Sequence, residues 1–275
     1  MKVTEYLPKG LFKGKTVFVT GGGSGINLGI GKTFAALGAN IAICGRSRER
    51  LDNAGAELRA LGAKVVTEVA DVRQYEALQA ALASCRDQVG SVDVLVCGAA
   101  GNFPIAAEKL SANGFKSVVD IDLLGSFNAS RAAFEQLSST RGCIIFISAG
   151  MSFVPYPYQA HVGAAKAGID NLMKNLALEW GKHGIRCNSI VPGPIEGTEG
   201  MRRLGGESYA QMRTKSIPLG RFGTVDDIGE AAVFLASPLA SYITGTVLVV
   251  DGGQSLSGSG AFANAIEAMQ TGRES

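Results

Sequence analysis

The residue types best suited to chemistry stand at the ends of short apolar runs. The first run closes into Thr20-Gly21-Gly22-Gly23-Ser24-Gly25-Ile26-Asn27, and a helical pattern follows. Glycines let the backbone turn sharply and approach a pyrophosphate, and the free N–H groups of a helix start attract the anion. A second run ends about 20 residues further on, the context a dinucleotide site requires. Gly21, Ser24, Gly25 and Ile26 are therefore expected at the phosphates. The second run ends Cys44-Gly45-Arg46-Ser47-Arg48. An acid at this point would hold a ribose 2′-hydroxyl, whereas basic residues accommodate a 2′-phosphate. Arginine is disfavoured beside a helix N-terminus by the dipole, so Arg46 and Arg48 point to NADP(H). Asp71-Val72, after the third run, is placed to meet the adenine, with a helix N-cap as the alternative.

One acid falls on an apolar stripe. Phe115, Val118, Val119, Asp122, Ser126, Ala129 and Ala133 recur at helical spacing and should share an inward face. Asp122 would then be desolvated, as a proton donor or water-orienting acid requires; a carboxylate satisfied by backbone donors is the alternative. His161 is equally consistent with substrate contact and with a structural role, and His183 suits a helix C-terminus. Five cysteines are widely spaced, with no C-x-x-C, and four of them sit in strand-like runs. They read as small hydrophobes, and no metal site is expected.

Positioning these residues requires a regular scaffold. Strand candidates are Thr16–Thr20, Ile41–Cys44, Val65–Val69, Val94–Cys97, Cys143–Ser148, Cys187–Val191 and Thr246–Val250. Helical patterns such as Glu49–Leu61 and Gln159–Lys182 alternate with them. The strands are continuously apolar, as strands covered on both faces should be. This predicts an α/β, doubly wound Rossmann fold with a parallel sheet of about seven strands, in which ligands bind beyond the carboxyl ends. The 275 residues show no linker or internal repeat, so residues 1–275 are expected to form a single dinucleotide-binding catalytic domain. A net charge of +2 with no basic stripe argues against nucleic acid. No apolar run reaches the roughly 18 residues of a membrane span. The ending Gly272-Arg273-Glu274-Ser275 is not a Ser-Lys-Leu address, so a cytoplasmic location is expected.

These segments resemble the short-chain dehydrogenase/reductase family over nearly the whole chain. Its opening T-G-x-x-x-G-x-G corresponds to Thr20 to Asn27, with asparagine replacing the last glycine. Its Asn-Asn-Ala-Gly motif is similar to Cys97-Gly98-Ala99-Ala100-Gly101, with both asparagines gone. Pro192-Gly193-Pro194-Ile195, followed by Thr198, and the late Asp251-Gly252-Gly253 also match. The resemblance implies cofactor contacts from Ala99, Gly101, Ser148, Lys166, Pro192, Gly193, Ile195 and Thr198. Of the family's Asn, Ser, Tyr and Lys set only Lys166 remains; Asp122, Ala149 and Val162 stand at the other three positions. Tyr156 and Tyr158 are nearby but out of register. Taken without the resemblance, Lys166 reads as a partner of Asp170 or a snorkelling surface lysine.

Losing the tyrosine removes the usual acid for a ketone. Conjugate reduction differs: hydride adds to carbon, and the resulting enolate is protonated on carbon. The chain resembles the branch that performs this on thioesters, the 2,4-dienoyl-CoA reductases, nearest the peroxisomal-type members. Ala99-Ala100-Gly101-Asn102-Phe103, Asp120-Ile121-Asp122, Pro192 to Gly206 and Ser237 to Tyr242 carry that likeness. It implies an acyl-CoA substrate, NADPH and a homotetramer. Asn102 would hold the oxyanion (or form a turn before Pro104), Asp122 would supply or relay the proton, and Lys166 would position the cofactor. Asn102, Phe103, His161, Arg202 and Arg203 would meet substrate. A carbonyl reductase with a displaced acid such as Tyr158, and a non-catalytic NADP(H)-binding protein, are the competing readings.

Overall fold

In a computed structural model, residues 3–198, 214 and 216–259 are described. Arg202 and Arg203 lie outside the described residues.

Seven parallel strands form one sheet: β1 (Thr16–Thr20), β2 (Asn40–Gly45), β3 (Val65–Val69), β4 (Val94–Cys97), β5 (Cys143–Ile147), β6 (Arg186–Pro192) and β7 (Val247–Val250). Their spatial order is β3-β2-β1-β4-β5-β6-β7. The chain runs outward from β1 to β3 and then returns to place β4 on the other side of β1. Between β1 and β4 the order reverses, and there the sheet opens a crevice at its carboxyl edge. Helices α1 (Gly25–Ala36), α2 (Arg48–Ala60), α3 (Tyr75–Val89), α4 (Ala112–Val119), α5 (Gly125–Thr140), α6 (Ala160–Trp180) and α7 (Val225–Ala236) cover the two faces.

Apolar patterning accounts for the layers. Every residue of β1, β4 and β5 is buried, as expected of central strands covered on both faces. The edge strands β3 and β7 are less buried. One core lies between the sheet and α1, α2 and α7, around Ile30, Phe34, Leu58 and Ile228. The other lies beneath α3, α5 and α6, around Leu82, Ala133, Ile169 and Met173.

The inward stripe holds for Val118, Asp122, Ser126, Ala129 and Ala133, which are all buried, but not for Phe115. Phe115 is 39% exposed. Phe115 sits in the first turn of α4, three residues before the buried Val118, so the covered stripe begins only at Val118. A π-helical turn at Asp120–Leu124 separates α4 from α5, and its wider winding offsets the phase of the two helices.

Candidate active site

The glycine-rich turn is built by close approach. Gly21 has φ of +67°, and a Cβ there would lie 2.9 Å from Ala99 Cα. Only glycine meets both demands without strain. Thr20 Oγ1 accepts from Gly98 N–H at 3.0 Å and Ala99 N–H at 3.2 Å, joining the ends of β1 and β4. A cavity of about 600 Å³ opens over this junction. Gly21, Ser24, Gly25 and Ile26 form its floor, at the start of α1 where N–H groups are unpaired by the helix. Ala99, Ser148, Pro192, Gly193 and Thr198 stand around it as the sequence implied. Gly101 and Ile195 do not. The Gly101 N–H is committed to Asp122, and Ile195 is buried in a bridge to Gly223 beside a neighbouring recess.

At the outer end of the cavity the arginine register differs from expectation. Arg46 and Arg50 line the cavity, and Arg48 does not. Arg48 lies 3.8 Å from Asp52 and donates to the Thr67 carbonyl. Helical phase explains the correction. Ser47 caps α2 by accepting from Arg50 N–H, so positions 47 and 50, three residues apart, share the face toward the cavity. Asp71 and Val72 also line the cavity. Asp71 does not cap α3, whose N-cap is Gln74. Its carboxylate is held by the Arg73 guanidinium at 2.5 and 3.0 Å, which keeps it below the usual carboxylate range despite partial burial.

Deeper in, a buried ion pair forms the other wall. Asp122 is fully buried, its Oδ1 accepting from Gly101 N–H at 2.7 Å. Its Oδ2 lies 3.1 Å from Lys166 Nζ, close but without hydrogen-bond alignment. Lys166 Nζ donates instead to the Ile147 carbonyl at 2.9 Å. The lysine therefore pairs with Asp122, not Asp170, and its stem runs through α6 to the cavity wall. Asp122 Oδ1 is thus hydrogen-bonded, while Oδ2 faces the lysine as an ion-pair contact only. Such a pair costs several kcal/mol in desolvation per ion, so it persists only where its geometry is well satisfied.

Valine takes the tyrosine's place at position 162. Val162 is buried in an apolar patch with Val118 and Ala165, against Phe103. His161 is fully buried against Phe103, the rings tilted at 51° with centroids 4.5 Å apart, and among the described residues neither nitrogen has a hydrogen-bond partner. Phe103 and His161 thus sit behind the cavity wall, whereas Asn102 is in it. Tyr158 is exposed, with φ of +65°, while Tyr156 does line the cavity. Arg50 was missed by sequence reasoning and Tyr156 was set aside by it, and Asn27, Ser47, Met151 and Gln254 are further lining residues that were not expected. Arg50 was readable from the helix phase set by Ser47; Tyr156 lies in a loop that carries no period. All five cysteines are buried, and no metal-ligand cluster occurs among the described residues. Burial pushes the thiols of Cys44 and Cys97, beside the junction, up to about 12.

A family model described as enoyl-(acyl carrier protein) reductase matches residues 21–255. The chain belongs to the short-chain dehydrogenase/reductase family. It is an oxidoreductase of that type, and its cradle is a nicotinamide dinucleotide site. The peroxisomal 2,4-dienoyl-CoA reductase of Saccharomyces cerevisiae is 47% identical over 247 residues, covering 88% of this chain and 85% of the relative. The peroxisomal enzyme of the same name from Rattus norvegicus is 44% identical, with 88% and 84% covered. An NADPH-bound short-chain oxidoreductase of Pseudomonas aeruginosa PAO1, described as containing an atypical catalytic center, superposes with a TM-score of 0.83. It is 31% identical, covering 88% of this chain and 97% of its own. The expected cytoplasmic location is overturned by these relatives, both of which are peroxisomal enzymes by name.

Proposed function

We propose that this protein is an NADPH-dependent reductase of 2,4-dienoyl-CoA thioesters, yielding 3-enoyl-CoA. The observation that carries the reading is the buried Asp122–Lys166 pair in a site without the family's tyrosine and serine. A ketone reductase must protonate an alkoxide oxygen, and that acid is missing from its place. A conjugated thioester needs a stabilised enolate oxygen and a proton at carbon, which the remaining side chains suit. The names of the yeast and rat relatives support the same substrate.

The residues divide the work as follows. Arg46 and Arg50, on the cavity wall just after β2, where an acid would hold a ribose 2′-hydroxyl, support preference for a 2′-phosphate. Lys166, tied to Ile147 and Asp122, is held ready to bind the ribose hydroxyls of the nicotinamide half. When bound, the reduced nicotinamide supplies the hydride, delivered to the far end of the conjugated system. The Asn102 side-chain amide would donate to the thioester oxygen as negative charge develops there. Asp122 already accepts from Gly101 and faces an ammonium, which supports relay of a proton through water over direct donation. The proton joins the carbon next to the thioester, so the remaining double bond lies at the 3 position. Phe103 and His161 would back the acyl pocket, residues 1–275 acting as one catalytic domain. Exposed Phe115, Leu124 and Phe127 around α4 and α5 support the homotetramer implied by the resemblance.

Tyr156 on the cavity wall favours a second reading, a carbonyl reductase whose acid has moved. One panel separates the two: NADPH consumption with a 2,4-dienoyl-CoA, with a 3-ketoacyl thioester, and with no acyl substrate. The proposal expects turnover of the dienoyl-CoA. Turnover of the ketoacyl thioester only would establish the second reading, and binding of NADPH without turnover of either would leave a cofactor-binding protein.

A further inference from the structure

The departures at Asn27 and Gly98 from the family's two glycine and asparagine motifs occupy the same space. Asn27 stands in the first turn of α1, and its Nδ2 donates to the Gly98 carbonyl at 2.8 Å and to the Gly21 carbonyl at 3.3 Å. Gly98 is buried just beyond β4. A Cβ at that position would lie 2.1 Å from Asn27 Oδ1 and 2.5 Å from its Cγ, far inside van der Waals contact. Asn27 therefore holds this side-chain conformation, with both hydrogen bonds, only because residue 98 has no side chain. In return, the amide reaches a carbonyl of the β4 loop from the opposite side of the crevice.

We propose that Asn27 and Gly98 are a coupled pair in which the asparagine is a positioning residue for the cofactor. Its amide pins the phosphate-binding turn at Gly21 to the loop that begins at Gly98 and carries Asn102 into the cavity. These two segments form facing walls of one cavity, so their separation sets where the nicotinamide end lies relative to substrate. The same loop carries Gly101, whose N–H holds Asp122. A shift of the loop thus reaches the Asp122–Lys166 pair through two contacts, one hydrogen bond and one ion pair. Positional errors near 1 Å cost rate as well as affinity in such sites. Steric dependence makes the pair's energetics non-additive, because each substitution changes what the other must tolerate.

The inference rests on the dinucleotide site and not on the identity of the acyl substrate, so its first readout is NADPH binding with no acyl substrate present. The variants are Asn27→Gly, Gly98→Ala and the double variant, each measured for NADPH affinity, thermal stability without cofactor, and dienoyl-CoA turnover. Asn27→Gly should weaken NADPH binding about tenfold and lower kcat several-fold, with KM for the acyl substrate little changed. Gly98→Ala should be far worse, roughly a hundredfold in NADPH affinity or unable to fold. The double variant should return to within about threefold of Asn27→Gly, so that the alanine is harmful only beside the asparagine. Asn27→Asp keeps the shape but turns a donor into an acceptor facing two carbonyls, and should bind NADPH no better than Asn27→Gly. If Gly98→Ala does not fold while the double variant does, the coupling is supported in its strongest form. Additive effects of the two substitutions, or normal NADPH affinity and kcat in Asn27→Gly, would overturn the proposal.

Discussion

The two ends of the cavity are built from different materials. At the phosphate turn the work falls to backbone: Gly21 at positive φ, N–H groups at the start of α1, and carbonyls pinned by Asn27. At the catalytic end it falls to side chains held by tertiary contacts, Lys166 between the Ile147 carbonyl and Asp122, and Asp122 on the Gly101 N–H. Backbone sites depend on local sequence and tolerate side-chain exchange at their rim. A buried charge pair depends on its partner, and removing one member strands the other. The contrast predicts that substitutions at the outer rim change which cofactor binds, whereas substitutions at the pair affect both folding and turnover.

Lys166→Met should show the largest effect. It leaves Asp122 buried without its cation, which is expected to cost about 3–5 kcal/mol of stability. Turnover should fall by at least about 10³ where protein can be obtained, because the cofactor loses an anchor and the site its charge. Denaturant unfolding and steady-state rates check both parts, and unchanged stability would mean that the pair is not formed.

Rim substitutions should be milder and selective. Arg46→Asp or Arg50→Asp should each weaken NADPH by about 1.5–3 kcal/mol, the usual range for a charged hydrogen bond, with NADH little affected. Arg48→Asp should change neither, since Arg48 faces Asp52 and Thr67. Titration of the two cofactors decides it; a loss at Arg48 equal to that at Arg46 would contradict the register described here. Tyr156→Phe should leave dienoyl-CoA turnover within about tenfold, far from the 10²–10⁴ of a lost general acid. A thousandfold loss with intact NADPH affinity would move the acid to Tyr156.

The smallest effect lies away from the cavity. Asp227 caps α7 with Thr224 and pairs with Arg221 at 2.8 Å, interactions that hold its carboxyl well below the usual range. Because the folded value is depressed, the stabilisation is present above the unfolded carboxylate value of about 3.9 and is lost as pH falls through the folded one. Asp227→Asn should cost about 1 kcal/mol at neutral pH, the usual size of a cap. Comparative melts should show the difference from the parent shrinking below about pH 4; a constant difference across that range would contradict the assignment.

The same contrast governs what could be read from the sequence. All seven strands were legible because continuous apolar runs bounded by turn residues leave few alternatives, and the structure moves their ends by a residue or so. The phosphate turn was legible because its chemistry is local. The exchange of Arg48 for Arg50 at the cavity arose from following the strand end into a helix whose phase is fixed by the Ser47 cap. Phe115 was misplaced because residue spacing does not show where along α4 the inward stripe begins to be covered. The Asp122–Lys166 pair joins residues 44 positions apart across the cavity, so each residue could be singled out but their contact could not. The cytoplasmic expectation failed for a different reason: a location is read by a receptor and leaves no trace in packing or periodicity.

Asp122→Asn tests the central claim most directly, because it keeps shape while removing the charge that faces Lys166 and the group proposed to pass the proton. NADPH affinity and dienoyl-CoA turnover should be measured on the same folded preparation. The account predicts near-normal NADPH binding with kcat reduced by about 10²–10⁴. Turnover at the parent rate with normal binding would contradict it and leave Asp122 a structural residue.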